Sequence, residues 1–390
     1  MGTFLVLMIA GMVAIVNLTT CKTTNNSETL VSSDPDRPPH TPFSQMNYPA
    51  ADEQLGERLY PDEVENARTI AALLEKNIRE RYGNGRHLRD AHPKAHGCPK
   101  AEFRVYPNIP PELRHGVFEP GKTYEAVVRF SNGNGDPTIP DIEGDARGMA
   151  IKLFGVQGQK LLDVERQAQT QDFIMINHPV FMIDDPAEYV DLVANVGSSN
   201  IFSKIQVLES LGFRGLPIVR ALRKIKITSP LNTRYFSMTP YQLGVGPNRR
   251  AIKFSAKPCR PNTAQLPQNP HPDFLRKRLA SRLATGTGCF EFMVQAKGEK
   301  MDVEKSTKEW SERESPFLPV AKLILPQQEI PSTNDNSIEA NRVCDSYSFN
   351  PGHSLAAHKP LGALNRLRKV IYEHISKVRH NINNEPRREP

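Results

Sequence analysis

The sequence has no cysteine pair at Cys-x-x-Cys spacing, no apolar run of the about twenty residues that a membrane-spanning helix needs, no dense basic run and no internal repeat. The first absence argues against a structural zinc site. The third gives nucleic-acid binding no footing, because the basic residues are scattered or held in local motifs. Strand and helix signals also do not alternate regularly, so a doubly wound parallel sheet is not expected.

What is present is a 390-residue chain of ordinary soluble composition, 38% hydrophobic and 24% charged, with a net charge of +7. That length suffices for a substantial core. The apolar run from Phe4 to Val16 reads as the hydrophobic part of an export signal over residues 1–20. It ends at Leu18-Thr19-Thr20-Cys21, which resembles a bacterial lipoprotein signal, although no Lys or Arg precedes the run and Thr20 stands where Gly, Ala or Ser is usual. A lipid anchor on Cys21 is the first expectation, cleaved secretion the second and an uncleaved anchor the third. Residues 21–50 are rich in Thr, Asn, Ser, Asp and Pro and read as a disordered tether, leaving 51–390 as the folded domain. Export permits disulfides. Cys98, Cys259, Cys289 and Cys344 remain after Cys21, an even number that fits one or two bridges or four free thiols.

Apolar spacing predicts a helix over Asp62–Arg81. Strand signals follow at Ala101–Tyr106, Tyr124–Ser131, Ala150–Phe154, Asp172–Ile176, Ala251–Ser255, Gly288–Gln295 and Pro319–Leu325, separated by Gly, Pro, Asn and Asp. Helical stretches are expected between Ala187 and Leu222, including Ile205–Leu211 and Ile218–Leu222, then over Pro272–Leu283 and from Leu361 to about Ile382. The expected class is α+β: an antiparallel β-barrel with inserted helices and a closing C-terminal helix.

That last helix carries the chemistry. Arg368 and Tyr372 lie one turn apart on one face, and Arg379, two turns on, returns to nearly the same side. A guanidinium beside a phenol favours the tyrosinate, a hard anion suited to ferric iron and a known axial ligand of haem. Alone, a solvated Arg–Tyr face is the commoner meaning of this spacing.

Six further segments, in order, resemble catalases and the smaller catalase-like haem proteins. Arg89-Asp90-Ala91-His92-Pro93-Lys94 resembles the segment in which an Arg that binds haem precedes the catalytic His by three residues. Val128–Ser131 resembles the strand whose Arg, here Arg129, meets a haem propionate, and Asp145–Phe154 the long run after it. Asp172–Asp185, with Pro179-Val180-Phe181, is similar to the distal wall. Leu318–Leu325 and Phe349-Asn350-Pro351 resemble the approach to the proximal helix. The resemblance spans roughly residues 85 to 380 and implies the catalase fold, haem b bound by Tyr372, and reaction with peroxide.

In that register His92 is the distal base, with His96 its near competitor, because the His-Pro-Lys-Ala-His-Gly loop is one residue longer than usual. Arg368 is the charge partner of Tyr372, and Arg89, Arg129 and Arg379 receive the propionates. The distal asparagine departs from the pattern: Ile176 stands at its position and Asn177 at the next. Tyr189 falls where a catalase stacks Phe on the haem, and Ala91 replaces the usual Val before the histidine. The implied activity is dismutation of hydrogen peroxide. A peroxidase or fatty-acid hydroperoxide enzyme is the second expectation, and a haem-binding barrel without efficient turnover the third. Membrane anchoring through the N-terminus and homo-oligomerisation are the expected associations, and no nucleic acid.

Overall fold

The computed structural model describes residues 48–162, 167–196, 200–261, 263–331 and 342–385. The export signal, Cys21 and nearly all of the expected tether therefore lie outside the described residues. Tyr48, at the tether's end, is packed: its hydroxyl donates to Glu63 Oε1 at 2.7 Å.

Ten strands form the sheet: β1 (Ala95–Gly97), β2 (Lys100–Val105), β3 (Thr123–Asn132), β4 (Arg147–Phe154), β5 (Thr170–Ile176), β6 (Tyr235–Phe236), β7 (Tyr241–Leu243), β8 (Arg250–Pro258), β9 (Gly288–Ala296) and β10 (Leu318–Leu325). The order β3-β2-β10-β9-β8-β6-β5-β4 returns to β3 through the β3–β4 pairing, so eight strands close a barrel. Every pairing is antiparallel. Closure leaves no unpaired edge around the ring. β1 adds to one end of β3, and β7 to one end of β8.

The barrel is filled by aromatic rings. Phe173 lies 4.8 Å from Phe292 and 5.0 Å from Phe254, and Phe103 lies 5.1 Å from Phe292, centroid to centroid. Each such ring contributes roughly 1.5–3 kcal/mol by leaving water. β2 alternates buried and more exposed positions, as a strand covered on one face should.

Helix α1 (Glu63–Tyr82) puts Ala67, Ile70 and Ala71 against Leu364, Leu367, Val370 and Ile371 of the last helix, α5 (Ala363–Asn383). Both sets repeat at helical spacing, so two amphipathic stripes bury one another. Between β5 and β6 run α2 (Pro186–Asn195) and α3 (Ile201–Lys224); α4 (Phe274–Thr285) precedes β9. Among the described residues, no helix is long and apolar enough to cross a membrane.

Each strand and helix expected from the pattern is present. The two stretches expected after Ala187 belong to one element, α3, broken at Gly212 (φ 53°, ψ −163°). The very short β1, β6 and β7 escaped the sequence reading, since two or three residues cannot establish a period. All four remaining cysteines are paired, as Cys98–Cys344 and Cys259–Cys289, each with a Cα separation of 5.5 Å.

Candidate functional site

The site is built from the start of α5 outward. Arg366 is fully buried and meets three carboxylates: Glu63 through Nε at 2.7 Å, Glu57 through NH1 at 2.6 Å and Glu304 at 3.1 Å. This cluster fixes the N-terminal turn of α5 to α1 and to the loop after β9. Two residues on, Arg368 NH1 donates to Asn365 Oδ1 at 3.1 Å and to Thr239 Oγ1 at 3.3 Å. Its guanidinium carbon lies 5.3 Å from the Tyr372 ring centroid. Burial opposes the Arg368 cation, but the Tyr372 and Tyr241 phenols outweigh it and raise its pKa. The Arg–Tyr pair expected one turn apart is therefore in place, and it faces inward.

Arg89, Arg129 and Arg379 converge from three separate parts of the chain. Arg89 NH1 bonds Asp345 Oδ1 at 2.5 Å, and its NH2 donates to the Tyr347 carbonyl at 2.6 Å. Arg129 NH2 reaches Asp345 at 3.5 Å and donates to the His92 carbonyl at 2.8 Å. Arg379 NH2 sits 2.8 Å from His380 Nε2. Burial and the neighbouring Arg89 push the Arg129 pKa down to about 9, and the same two causes hold Arg379 well below the arginine range. Arg129 Nε and Arg379 NH1 are buried without a hydrogen-bond partner. Arg89 and Arg129 thus share one carboxylate, Asp345, whose charge also acts on Arg379, and these three guanidinia outnumber the carboxylates beside them.

His92 adopts a left-handed backbone (φ 61°) beside this cluster. Its Nδ1 lies 3.0 Å from Ser131 Oγ. The imidazole fits only because β4 carries glycine opposite it: a Cβ on Gly148 would fall 2.6 Å from His92 Nδ1 and 2.7 Å from Ser131 Oγ. Burial, followed by the charges of Arg129, Arg368 and Arg89, pushes its pKa down to about 3. The imidazole is neutral at pH 7 and feels guanidinia from both the Arg89–Arg129 cluster and the Tyr372 helix. His96 points elsewhere. Its Nε2 is 2.8 Å from Asn132 Oδ1, in a buried network that also holds Asp141 and Arg147.

Tyr189, on α2, senses Tyr372, Asp90 and Arg368, and burial is the main cause of its raised pKa. Its ring meets Phe181 edge-on, with centroids 5.8 Å apart. Asn177 accepts from the Arg147 backbone N–H at 2.7 Å through Oδ1, while its Nδ2 is buried without a partner. Ile176 packs among Val180, Ile218, Leu222 and Met238. Sequence reasoning missed Asp345 and Arg86, which pairs with Asp345 at 3.4 Å and Glu385 at 2.9 Å. The one sequence clue to Asp345 is its position beside Cys344.

The sequence profile of the Catalase family matches residues 72–200, a stretch that includes Arg89, His92, Arg129, Asn177 and Tyr189. That stretch is catalase-like in sequence. It is 28% identical over 187 residues to a catalase-related peroxidase of Mycolicibacterium paratuberculosis, covering 46% of this chain and 56% of that protein. It is 24% identical over 305 residues to catalase A of Pseudomonas putida, covering 71% of this chain and 60% of that one. The chain thus spans a little over half the length of these relatives. A fungal catalase superposes with a TM-score of 0.58 at 20% identity, over 83% of this chain and 64% of that chain. A bacterial catalase gives 0.59 at 16%, over 93% and 71%. The barrel with inserted helices is the catalase fold. Tyr372, Arg368 and Arg379 lie beyond the profile match, so their geometry rests on the packing of α5.

Proposed function

We propose that the chain is an oxidoreductase acting on peroxide, with haem b held by Tyr372 and the three arginines. The observation that carries this reading is the anion-poor cluster. Arg89 and Arg129 share one built-in carboxylate, Asp345, and Arg379 lies within its field without a carboxylate of its own, which leaves positive charge for the two carboxylates of haem b. The unpartnered Arg129 Nε and Arg379 NH1 are donors awaiting such acceptors. Arg368 sets a guanidinium 5.3 Å from the ring of Tyr372, the residue that in this reading is the axial ligand. Bound haem supplies the iron at which the O–O bond is cleaved.

The chain's own part is proton transfer and orientation. With Nδ1–H donating to Ser131, the neutral His92 offers Nε2 as the base that takes a proton from one peroxide oxygen and returns it to the other. The unpartnered Asn177 Nδ2 group is the candidate for a second distal donor. Hydrogen peroxide is the first-choice substrate. An organic hydroperoxide is the second, since a membrane anchor would bring the site close to lipid. We also place the protein at a membrane outside the cytoplasm, held by Cys21; release of a Cys21→Ser variant from membranes checks this.

The test of the cofactor assignment is the absorption spectrum of purified protein. Tyr372→Phe is expected to lose most bound haem or to shift its main band strongly. An unchanged band would remove Tyr372 as the ligand.

A further inference from the structure

Helix α3 lies outside the site and exposes more large apolar side chains than any other helix described. Phe202 is 73% exposed, Phe213 82%, Ile201 51% and Ile205 40%. Ile201, Phe202 and Ile205 lie on one stripe, at i, i+1 and i+4. The break at Gly212 carries Phe213 onto the second half of the helix. The opposite side of α3 is accounted for: Leu211, Val207, Leu216 and Val219 pack against Ile183 and Leu192, and that cluster reaches Phe181 and Tyr189. Exposed apolar side chains gathered on one helix turn, as Ile201, Phe202 and Ile205 are, mark an interaction surface.

We infer that α3 is an interfacial helix that seats the protein on an anionic lipid surface. Three observations select this occupant. The helix carries Lys204, Arg214, Arg220, Arg223 and Lys224 against the single acid Glu209; with Arg214 paired to Asp184 at 3.6 Å, the other four still give the excess of positive charge that complements anionic headgroups. A second copy packed through the same face would set this basic helix against itself. The described fold also begins at Tyr48, which shares a buried cluster with Val193 of α2, the helix on which α3 packs. The chain that leads back to the N-terminal apolar run therefore leaves from the α1–α2 side of the molecule. The last point rests on the proposed anchoring; the charge and exposure of α3 do not.

The test uses the full chain and a local probe, so that insertion of the N-terminal run cannot imitate the result. Trp310 is the sole tryptophan and is buried. The indole introduced by Phe213→Trp is expected to shift to the blue and to be quenched by vesicles of brominated phosphatidylglycerol and phosphatidylcholine, but only weakly by brominated phosphatidylcholine alone. Phe202→Ser combined with Ser at position 213 (Phe213→Ser) should weaken vesicle partitioning by about tenfold per residue, with the haem absorption band unchanged. If vesicles bind the protein while the indole stays unquenched, the N-terminus alone makes the contact and the inference fails. It fails equally if the indole becomes protected without lipid as protein concentration rises, which would identify a second copy as the occupant.

Discussion

At the scale of the residue, the decisive contrast is between two histidines four positions apart. His92 lies against Ser131 and Gly148, within reach of guanidinia from two sides, whereas His96 is locked to Asn132. His92→Ala is expected to retain haem and lose peroxide consumption by about 10²–10⁴-fold, the usual effect of removing a general acid–base group. His96→Ala should retain most activity and instead lose stability, because a buried network loses the His96–Asn132 hydrogen bond and Asn132 Oδ1 keeps only Arg147 as partner. Initial rates of oxygen release, beside unfolding midpoints, separate the two. A His92→Ala enzyme running at the unmodified rate would exclude His92 as the base.

At the scale of the element, two attachments position the site. The first is the clamp on α5: Arg366→Leu would strand Glu57, Glu63 and Glu304 in the interior, and breaking a buried network of this kind costs about 3–5 kcal/mol. A shifted denaturant midpoint measures it. The second is Cys98–Cys344, which ties the strand after His92 to the turn bearing Asp345. Cys98→Ser with Cys344→Ser is expected to lower stability by about 2–5 kcal/mol and to weaken haem retention, since Asp345 and Arg89 lose their fixed spacing. Cys259→Ser with Cys289→Ser joins only β9 to the end of β8 and should leave haem retention unchanged. Titration of both reduced forms with haemin makes the comparison. Equal retention in the two would detach Asp345 from the cofactor site.

At the scale of the whole molecule, buried titratable groups set the response to acid. Burial pushes His96 down to about 4 and His358 down to about 3. For Asp172, burial acts upward but Lys152 and His353 outweigh it, so its pKa is lowered. All three groups resist protonation in the folded state more than in the unfolded chain. Between pH about 6.5 and 4 the unfolded chain binds more protons, so stability falls as pH drops through that window. The thermal midpoint should decline steadily as pH falls below 6.5. A midpoint constant down to pH 4 would mean that the interior accepts these protons without opening.

Periodicity and turn residues were enough to determine seven of the eight barrel strands, the amphipathic α1 and α5, and the Arg368–Tyr372 face, because each depends on neighbours within one or two turns. The order of the segments around Arg89, Arg129 and Tyr372 carried the family. The fold alone decided which charges meet. Asp345 becomes the shared partner of Arg89 and Arg129 only when barrel closure and Cys98–Cys344 bring positions more than two hundred residues apart together. The same holds for Arg366, whose three carboxylates come from α1, its preceding loop and the loop after β9. The choice of His92 over His96 was a matter of register in the sequence and of direction in space: Gly148 makes room for one ring, and Asn132 holds the other. Local pattern fixes which face of an element is apolar, but the partners of a buried charge come from wherever the chain returns.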